Sequence, residues 1–154
     1  HLATLMDTEA VYIDKVETIN SMRMYSQIGR RAALHSTSVG KALLSGLSPA
    51  ELMRLVRMLP MNARTPRTIT DPEELIGQVE EERARGWAVD DMENEPGVRC
   101  VGAPIRDYRG QVIAAVSTSG PADQLTPARD AETARHVMEA ARQISRRLGW
   151  LDQP

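Results

Sequence analysis

Two segments of alternating residues flank the turn Asp107-Tyr108-Arg109-Gly110, and they constrain the fold more than any other feature of the sequence. Their spacing predicts an antiparallel hairpin in which alternate side chains point to opposite faces. One face is apolar and consists of Val101, Ala103, Ile105, Val112, Ala114 and Val116. The other face carries small groups, several with hydroxyl or thiol tips, namely Cys100, Gly102, Ala115, Ser117 and Ser119. The chain therefore contains a sheet with at least one buried face.

The register of this hairpin decides which of the small polar groups meet. If Arg106 pairs with Gln111 across the turn, Cys100 lies opposite Ser117. Small side chains leave a hollow beside the strands, and hydroxyl groups give that hollow hydrogen-bonding capacity. The spacing alone leaves two interpretations equally open: a ligand pocket, and an ordinary strand surface that faces solvent.

The order of the remaining elements indicates the fold class. Runs of β-prone residues at 2–6, 10–16 and around Met22, Met24 and Tyr25 predict a hairpin and a third strand. Three helices follow, with start signals at Ser36-Thr37, Ser48-Pro49-Ala50-Glu51 and Asp71-Pro72. Further strands are predicted over 87–90, 98–105 and 111–119, and a last helix starts at Thr126-Pro127 and stops before Gly149. Because strands and helices do not alternate regularly, an antiparallel α+β sheet with helices packed on it is favoured over a doubly wound fold.

Composition narrows the classes of function. The 154 residues suit one domain, and 19 basic against 21 acidic residues give a net charge of −2. This balance lacks the basic excess of a nucleic-acid-binding domain. With two Trp, three Tyr and no Phe, the chain also has no row of rings on which bases could stack. If the protein binds DNA, another segment does so.

Cysteine, histidine and hydropathy patterns predict the compartment. A single cysteine cannot form an internal disulfide, and three scattered histidines supply no zinc ligand set, so we expect no metal and no cofactor. No run approaches the roughly 20 apolar residues of a membrane span, and no signal peptide is recognisable. These features predict a soluble, cytoplasmic chain. The sequence begins at His1 inside a β-prone run without an initiator Met, which suggests that an upstream segment is missing.

Four acidic residues lie between positions 90 and 95. Their spacing does not match a calcium loop, and no glycine stands at the sharp turn that such a loop requires. Asp91, Glu93 and Glu95 are therefore interpreted as parts of a solvated loop. Asp90 ends an apolar run and can point inward, where its carboxylate would suit a ligand hydroxyl or a hydrated carbonyl.

Two further segments suggest chemistry by their composition. The segment from Ser36 to Lys41 fails as a phosphate loop because the first glycine of that motif falls on His35. What remains is a helix start, whose free N–H groups can bind a carboxylate. A nucleophilic Cys100 needs a base, and the nearest histidine in sequence, His136, lies on the last predicted helix. A packed small side chain is the favoured interpretation of Cys100.

Three blocks of the sequence resemble a known family. They are Ile28-Gly29-Arg30-Arg31-Ala32-Ala33-Leu34-His35-Ser36-Thr37-Ser38-Val39-Gly40-Lys41-Ala42-Leu43-Leu44, the stretch from Arg85 to Cys100, and Ala114-Ala115-Val116-Ser117-Thr118-Ser119-Gly120-Pro121. In this order and spacing they resemble the effector-binding half of the IclR family of bacterial transcriptional regulators. The resemblance covers essentially all 154 residues. The family's N-terminal winged helix-turn-helix has no counterpart, so residues 1–154 are identified as the effector-binding domain alone.

The resemblance implies a fold and a site. The implied fold is similar to the GAF domain, with a curved, mainly antiparallel sheet of about six strands flanked by helices. The implied site is a pocket for a small organic acid. By position, the polar side chains of the pocket correspond to Asp90, Cys100, Ser117 and Ser119, the backbone N–H groups that meet the carboxylate to Ser38 and Val39, and the apolar walls to Met24 and Val98. Family members often have Gly-Ala where this chain has Ser38-Val39, and the bulkier pair narrows the space.

The resemblance also implies a function. The chain is expected to sense a small carboxylate metabolite as a homodimer or homotetramer, and to reach operator DNA only through the missing N-terminal domain. Occupancy of the pocket then changes the arrangement of the full regulator. Two alternatives remain: a GAF-like enzyme that uses Cys100, for which the sequence shows no base, and a purely structural oligomerisation domain, which needs no polar pocket.

Overall fold

The computed structural model describes residues 1–18 and 26–151. In this part of the chain the strands are β1 (Leu2–Met6), β2 (Glu9–Asp14), β3 (Arg31–Ala33), β4 (Ala88–Asp91), β5 (Val98–Arg106) and β6 (Val112–Pro121). The helices are α1 (Ser38–Leu44), α2 (Pro49–Val56), α3 (Pro72–Arg85) and α4 (Asp130–Arg147), the last preceded by a 3-10 turn at Pro127–Arg129. The order of three strands, three helices, three strands and one helix is the order that the sequence predicts.

The six strands form one sheet in the order β3-β2-β1-β6-β5-β4. Each neighbouring pair of described strands is antiparallel. The predicted α+β class with a curved antiparallel sheet is thus confirmed. None of the helices in residues 1–18 and 26–151 is long and apolar enough to cross a membrane.

The helix starts follow from their capping residues. The Ser48 hydroxyl accepts a hydrogen bond from the Glu51 amide, and the Glu51 carboxylate accepts one from the Ser48 amide, which completes the predicted capping box. Asp71 caps α3 by accepting from the Glu74 amide. At the other end of α3, Gly86 has a φ of 87°, a left-handed conformation that glycine adopts without strain.

The third strand differs from its prediction. The predicted segment around Met22, Met24 and Tyr25 lies outside the described residues. The strand that follows β2 in the sheet is instead β3, which pairs Ala32 with Ala10. Its sequence, Arg-Ala-Ala, is short and has little β-propensity, so local pattern gives no signal for it.

The register of the β5–β6 hairpin also differs from the prediction. Cys100 lies opposite Ser119, not opposite Ser117, and Ser117 lies opposite Gly102. The pairing is displaced by two residues. Because the period of a strand is two, a displacement of two leaves each side chain on its predicted face. The prediction of the faces therefore survives a wrong register.

Two local features produce this displacement. Asp107 donates from its amide to the Gln111 carbonyl, so the turn is one residue tighter at its base than predicted, with Gly110 in the left-handed region at φ 79°. Ile113 is then an extra residue, because Ile105 pairs with Ala114 while the next residue of β5 pairs with Val112. Each feature moves the register by one residue.

Because of the bulge, the Val112 side chain lies on the opposite face of the sheet from the one predicted. The sequence assigns Val112 to the apolar face with Ile105, but the side chain packs with the residues around α1. A Cβ atom built on Gly46, just after α1, would lie 2.3 Å from the Val112 Cβ. An extra residue in a strand reverses the faces of the residues on its far side, and Val112 stands between the bulge and the turn.

Helices cover both faces of the sheet. We call the side that carries α1, α2 and α3 the α1 face, and the opposite side the α4 face. The core of the α1 face includes Ala3, Ala10, Leu34, Val39, Leu43, Leu44, Leu52, Val56, Leu75, Val79 and Ala115. The core of the α4 face includes Val89, Val101, Ala103, Ile105, Ala114, Ala134, Val137 and Ala141. Packing on both faces holds the sheet in a fixed position relative to the first turn of α1.

Candidate ligand-binding site

A small buried cavity lies between the start of α1 and the sheet. Its walls include seven of the eight residues predicted for the site: Ser38, Val39, Asp90, Val98, Cys100, Ser117 and Ser119. The eighth, Met24, lies outside the described residues. Tyr12, Thr37, Asn94 and Glu95 complete the lining. The structure thus brings together residues from β2, α1, β4, β5, β6 and the β4–β5 loop.

The cavity has a volume of about 20 Å³, roughly the room that one water molecule needs. Two larger spaces share parts of its wall. One of about 320 Å³ also contacts Ser117 and Ser119, and one of about 280 Å³ also contacts Tyr12, Asn94 and Glu95. The cavity is therefore small and shares wall residues with two larger spaces.

Three polar side chains form a row across neighbouring strands. Asp90 on β4 lies opposite Cys100 on β5, and Cys100 lies opposite Ser119 on β6. Cys100 thus stands between Asp90 and Ser119 in this row. The Ser119 hydroxyl is also 3.4 Å from Nδ1 of His1. This row forms the floor of the cavity.

The next row along the strands explains how α1 comes so close. Gly102 lies opposite Ser117, and a Cβ atom at Gly102 would lie 2.9 Å from the Ser38 carbonyl oxygen. Within α1, a Cβ atom at Gly40 would lie 2.5 Å from the Leu34 Cα. Separations this short do not occur for real Cβ atoms, so both positions depend on glycine. The two glycines allow the first turn of α1 to lie directly on β5.

The first turn of α1 forms part of the cavity wall. The Thr37 side chain caps the helix by accepting from the Gly40 amide at 3.1 Å. Ser38 and Val39 occupy the first two positions of the helix, where an α-helix supplies no internal acceptor for the amide. Both residues are buried and line the cavity. Their N–H groups can donate to an anion that enters it.

Asp90 is the buried acidic group of the cavity, at 2% exposed, whereas Glu95, which also lines it, is only partly buried. Its Oδ1 accepts from the amides of Glu93 at 2.8 Å and Asn94 at 3.2 Å. Burial raises the pKa of Asp90 to about 7, and the negative charge of Glu93 adds to this, while the two amides and Lys41 oppose it. Near neutral pH the group is thus divided between a carboxylic acid, which can donate a hydrogen bond, and a carboxylate, which only accepts.

Cys100 is held as a neutral thiol. Burial raises its pKa well above the usual range, and the neighbouring charge of Asp90 raises it further, while the hydrogen bond from Ser119 opposes both. A nucleophilic cysteine needs the opposite environment, one that stabilises the thiolate. The surroundings of Cys100 therefore fit a packed wall residue.

Tyr12 is a wall residue that the sequence did not mark as functional. It lies on β2, and its ring is 5.3 Å from the ring of His1. Burial raises the pKa of Tyr12 to about 12, so the phenol stays neutral and keeps its proton. Its position in a β-prone run predicted the strand, but one aromatic residue in a strand is no signal for a pocket.

A buried ion pair next to the cavity was also missed. Glu93, interpreted from sequence as part of a solvated loop, is 5% exposed, and its carboxylate accepts from Lys41 at 2.8 Å. That interpretation of Glu93 is wrong because Lys41 is itself fully buried and needs a carboxylate partner. A signal was present in the sequence: Lys41 is one of only two lysines in the chain and stands among apolar residues of α1.

Comparison with known proteins places this geometry in a family. A family model described as "Bacterial transcriptional regulator IclR C-terminal" matches residues 1–146. The transcriptional regulator KdgR of Escherichia coli K12 is 37% identical over 154 residues, which is the whole of this chain and 59% of KdgR. The chain spans about half to three-fifths of the length of the curated relatives it matches.

Solved structures agree with the sequence matches. The IclR protein of Thermotoga maritima superposes with a TM-score of 0.93 at 41% identity, over 97% of this chain and 61% of that one. The C-terminal domain of E. coli KdgR gives a TM-score of 0.87 at 34% identity, over 97% and 87%. An IclR homologue of Microbacterium hydrocarbonoxydans, solved as a complex with 4-hydroxybenzoate, gives 0.85 at 26% identity, over 96% and 59%.

Proposed function

The chain belongs to the IclR family of bacterial transcriptional regulators, and from this premise we propose that it is the effector-binding part of such a regulator, with a small organic acid as its ligand. One observation carries the proposal. Seven residues singled out from the sequence, contributed by four separate elements, line the same buried cavity. Residues with purely structural roles in four separate elements are not expected to line one cavity.

The proposed binding mode uses both sides of the cavity. The carboxylate of the acid accepts hydrogen bonds from the amides of Ser38 and Val39 and from the hydroxyls of Ser117 and Ser119. Hydrogen bonds to a charged acceptor are about twice as strong as those between neutral groups. Val98 and Cys100 form walls, and the role of Met24 as a further wall stays a prediction. The neutral hydroxyls and amides complement one carboxylate without adding a second charge.

Asp90 indicates the class of acid. A group that can be either donor or acceptor near neutral pH complements a hydroxyl, which is both donor and acceptor. A second carboxylate on the ligand would bring another negative charge next to both Asp90 and Glu95, which disfavours diacids. Hydroxy acids, hydrated keto acids and hydroxylated aromatic acids therefore fit best. The 4-hydroxybenzoate bound by the Microbacterium homologue is one such acid.

The size of the cavity implies that its walls move when the acid enters. A volume of about 20 Å³ holds no organic acid, but the spaces of about 320 and 280 Å³ share wall residues with it. Opening the cavity displaces α1 or the β4–β5 loop. We propose that this displacement changes the arrangement of a homodimer or homotetramer of the full regulator, and thereby its binding to DNA through a domain outside this chain.

A thermal-shift experiment tests the ligand class. We expect 4-hydroxybenzoate or pyruvate to raise the melting temperature of the chain by mass action, and the matching amides, 4-hydroxybenzamide and pyruvamide, to leave it unchanged. The amides keep the shape of the acids but lose charge-assisted hydrogen bonds worth about 1.5–3 kcal/mol each. Equal stabilisation by acid and amide contradicts a carboxylate site at the start of α1.

A pair of hydroxyl deletions on one strand tests the site itself. Ser117→Ala removes one proposed hydrogen bond and is expected to weaken binding of the stabilising acid about tenfold, or about 1.4 kcal/mol. Thr118→Ala is the matched control, because Thr118 is the next residue of β6, is exposed and points to the other face. Isothermal titration measures both. If the two variants bind equally well, Ser117 has no contact with the ligand.

An enzyme that uses Cys100 is the weaker candidate. Both burial and Asp90 raise the pKa of the thiol, which disfavours the thiolate that covalent catalysis requires. The curated relatives are named as transcriptional regulators. Rapid alkylation of Cys100 at neutral pH, together with turnover of the bound acid, would favour the enzyme.

A further inference from the structure

A buried ionic cluster lies directly behind the cavity. Lys41, on α1, is fully buried, and its Nζ lies 2.8 Å and 3.0 Å from the two carboxylate oxygens of Glu93. The same Nζ is 3.6 Å from Oε1 of Glu82, which is 1% exposed and belongs to α3. One ammonium group therefore joins α1, α3 and the β4–β5 loop.

This cluster reaches Asp90 from two directions. From the loop, the Glu93 amide donates to Asp90 Oδ1 at 2.8 Å. From α3, Glu82 Oε1 accepts from the amide of Val89 at 3.1 Å, and Val89 directly precedes Asp90 in β4. The Asp91 amide in turn donates to Glu93 Oε1 at 3.3 Å, so the backbone on both sides of Asp90 is tied to carboxylates that Lys41 holds.

The other end of the cluster reaches the start of α1. Lys41 follows Ser38 by three residues, which places the two side chains one helical turn apart on the same side of α1. The two groups that the proposed function assigns to opposite ends of the ligand, the amides at Ser38 and the carboxyl group of Asp90, are therefore connected through a single side chain. A shift of Lys41 changes the distance between them.

Stability is a poor explanation for this cluster. Removing charges from water costs about as much as a buried ion pair returns, and apolar residues of similar volume often serve equally well. Here two carboxylates share one ammonium, and Oε2 of Glu82 is buried without a hydrogen-bond partner among the described residues. An arrangement with an unsatisfied acceptor is not optimised for stability, whereas its hydrogen bonds fix orientation.

We propose that Lys41, together with Glu93 and Glu82, positions the effector site, by holding Asp90 and the first turn of α1 at the separation that the acid requires. None of the three lines the cavity, so they act through Asp90 and Ser38 and not by contact with the ligand. The proposal rests on the proposed function, because it assigns these residues a role in binding the effector.

The main test replaces both charges of the pair at once. Lys41→Met alone leaves the buried Glu93 carboxylate without a partner, so the double variant Lys41→Met/Glu93→Leu is used, in which Glu82 keeps Arg85 as a cationic partner at 3.4 Å. We expect it to fold with a melting temperature close to that of the parent chain. Without the ion pair, amide exchange at position 93 and at Asn94 accelerates at least tenfold, and binding of 4-hydroxybenzoate or pyruvate, whichever stabilises the parent chain, weakens at least tenfold.

A milder variant and a matched control test the same positioning role. Glu93→Gln keeps the shape of the side chain and leaves Glu82 as a charged partner for Lys41, so the fold is retained and smaller changes in the same direction are expected. Arg83→Met is the control. Arg83 ties α3 to the far end of α1 by donating to the carbonyls of Ser45 at 2.8 Å and Leu47 at 2.7 Å. We expect it to lower the melting temperature while exchange at Asn94 and acid affinity stay unchanged.

The outcomes separate the two proposals. If the double variant and Glu93→Gln keep the parent's exchange rates and acid affinity, the cluster has no positioning role and the inference is overturned. The same holds if Arg83→Met weakens binding as much as the double variant does, because general loosening of α1 then explains the effect. The exchange measurement needs no ligand, so a parent chain that binds no acid contradicts the proposed function separately.

Discussion

Neighbouring residues of β5 face two different environments. Ala103 and Ile105 pack against Val137 and Ala141 of α4 in a layer of aliphatic side chains. On the opposite face of the same strand, Cys100 and Gly102 face the first turn of α1, where small groups and hydroxyls line a cavity. The period of a strand thus lets one segment stabilise the fold with one set of residues and supply a site with the other.

The buried charges of the two faces differ in the same way. On the α4 face, Arg99 is 3% exposed and donates to both oxygens of Asp130, at 2.8 Å and 2.9 Å, and to Asp91 at 2.6 Å. On the α1 face, Lys41 is shared by two carboxylates, one of which keeps an unsatisfied oxygen. Complete pairing is typical of structural contacts, and departures from it concentrate at functional sites. Among the described residues, the α1 face therefore carries the less completely paired buried charges.

The largest change in unfolding free energy is expected from a substitution in the core of the α4 face. Ile105→Ala removes a side chain that is 1% exposed and should cost about 2–5 kcal/mol of unfolding free energy. Acid affinity should stay unchanged, because Ile105 points away from the cavity. Ile113→Ala is the matched control, since Ile113 is 41% exposed on the neighbouring strand and its loss should cost less than about 1 kcal/mol. Urea unfolding gives both values, and equal costs would contradict the assignment of the faces.

The pH dependence of stability tests the α1 face. The folded chain holds the Asp90 proton up to about pH 7, whereas the unfolded chain releases it near its ordinary pKa of 3.8. Between these values the folded state binds more protons, so stability falls as the pH rises through this window and is lowest above it. Each pKa unit corresponds to about 1.4 kcal/mol, so the fall amounts to a few kcal/mol.

Asp90→Asn isolates this contribution. Asn cannot titrate but can still accept from the amides of Glu93 and Asn94, so the fold is kept. Urea midpoints measured from pH 4 to pH 8 should fall less in the variant than in the parent chain. Parallel pH profiles of the two proteins would show that Asp90 titrates normally and that its environment is not desolvated.

The smallest effect concerns the close contact between α1 and β5. In Gly102→Ala, the new Cβ meets the Ser38 carbonyl oxygen at 2.9 Å, so α1 must move at a cost of about 1–3 kcal/mol, and acid affinity should fall with it. Gly77→Ala is the control, because nothing lies within 4 Å of its Cβ position in α3. There, alanine should stabilise the helix by about 0.5–1 kcal/mol. Destabilisation by both substitutions would remove the distinction between the two glycines.

Much of the fold follows from local pattern. Capping residues such as Ser48 and Asp71 fix the helix starts because their side chains satisfy amides that the helix leaves free. The alternation in β5 and β6 predicts the two faces because a buried face admits only one phase of the period. Alternation alone could not decide between a ligand pocket and a solvent-facing surface. The family resemblance favoured the pocket and predicted the residues around it.

The features that the sequence did not reveal depend on distant contacts. The bulge at Ile113, which moves Val112 to the α1 face, has no residue signature such as glycine to mark it. Glu93 looks like a surface residue in its own loop, and its burial follows only from Lys41, 52 positions away. β3 gains its strand character from pairing with β2 and not from its own residues.

The position of β1 in the middle of the sheet has a consequence for how the molecule folds. β3, β2 and β1 are close in sequence, as are β6, β5 and β4, and among the strands that the structure describes the two groups pair only where β1 meets β6. The hydrogen bonds of that seam, from His1 to Ser117 and from Thr4 to Ile113, join residues 116 and 109 positions apart. The entropy cost of closing so long a loop must be met before its contacts form, and this slows folding. Formation of the seam is therefore expected to limit the refolding rate. Since Tyr12 and Ser117 stand on opposite sides of it, the cavity comes into existence only with this slow step.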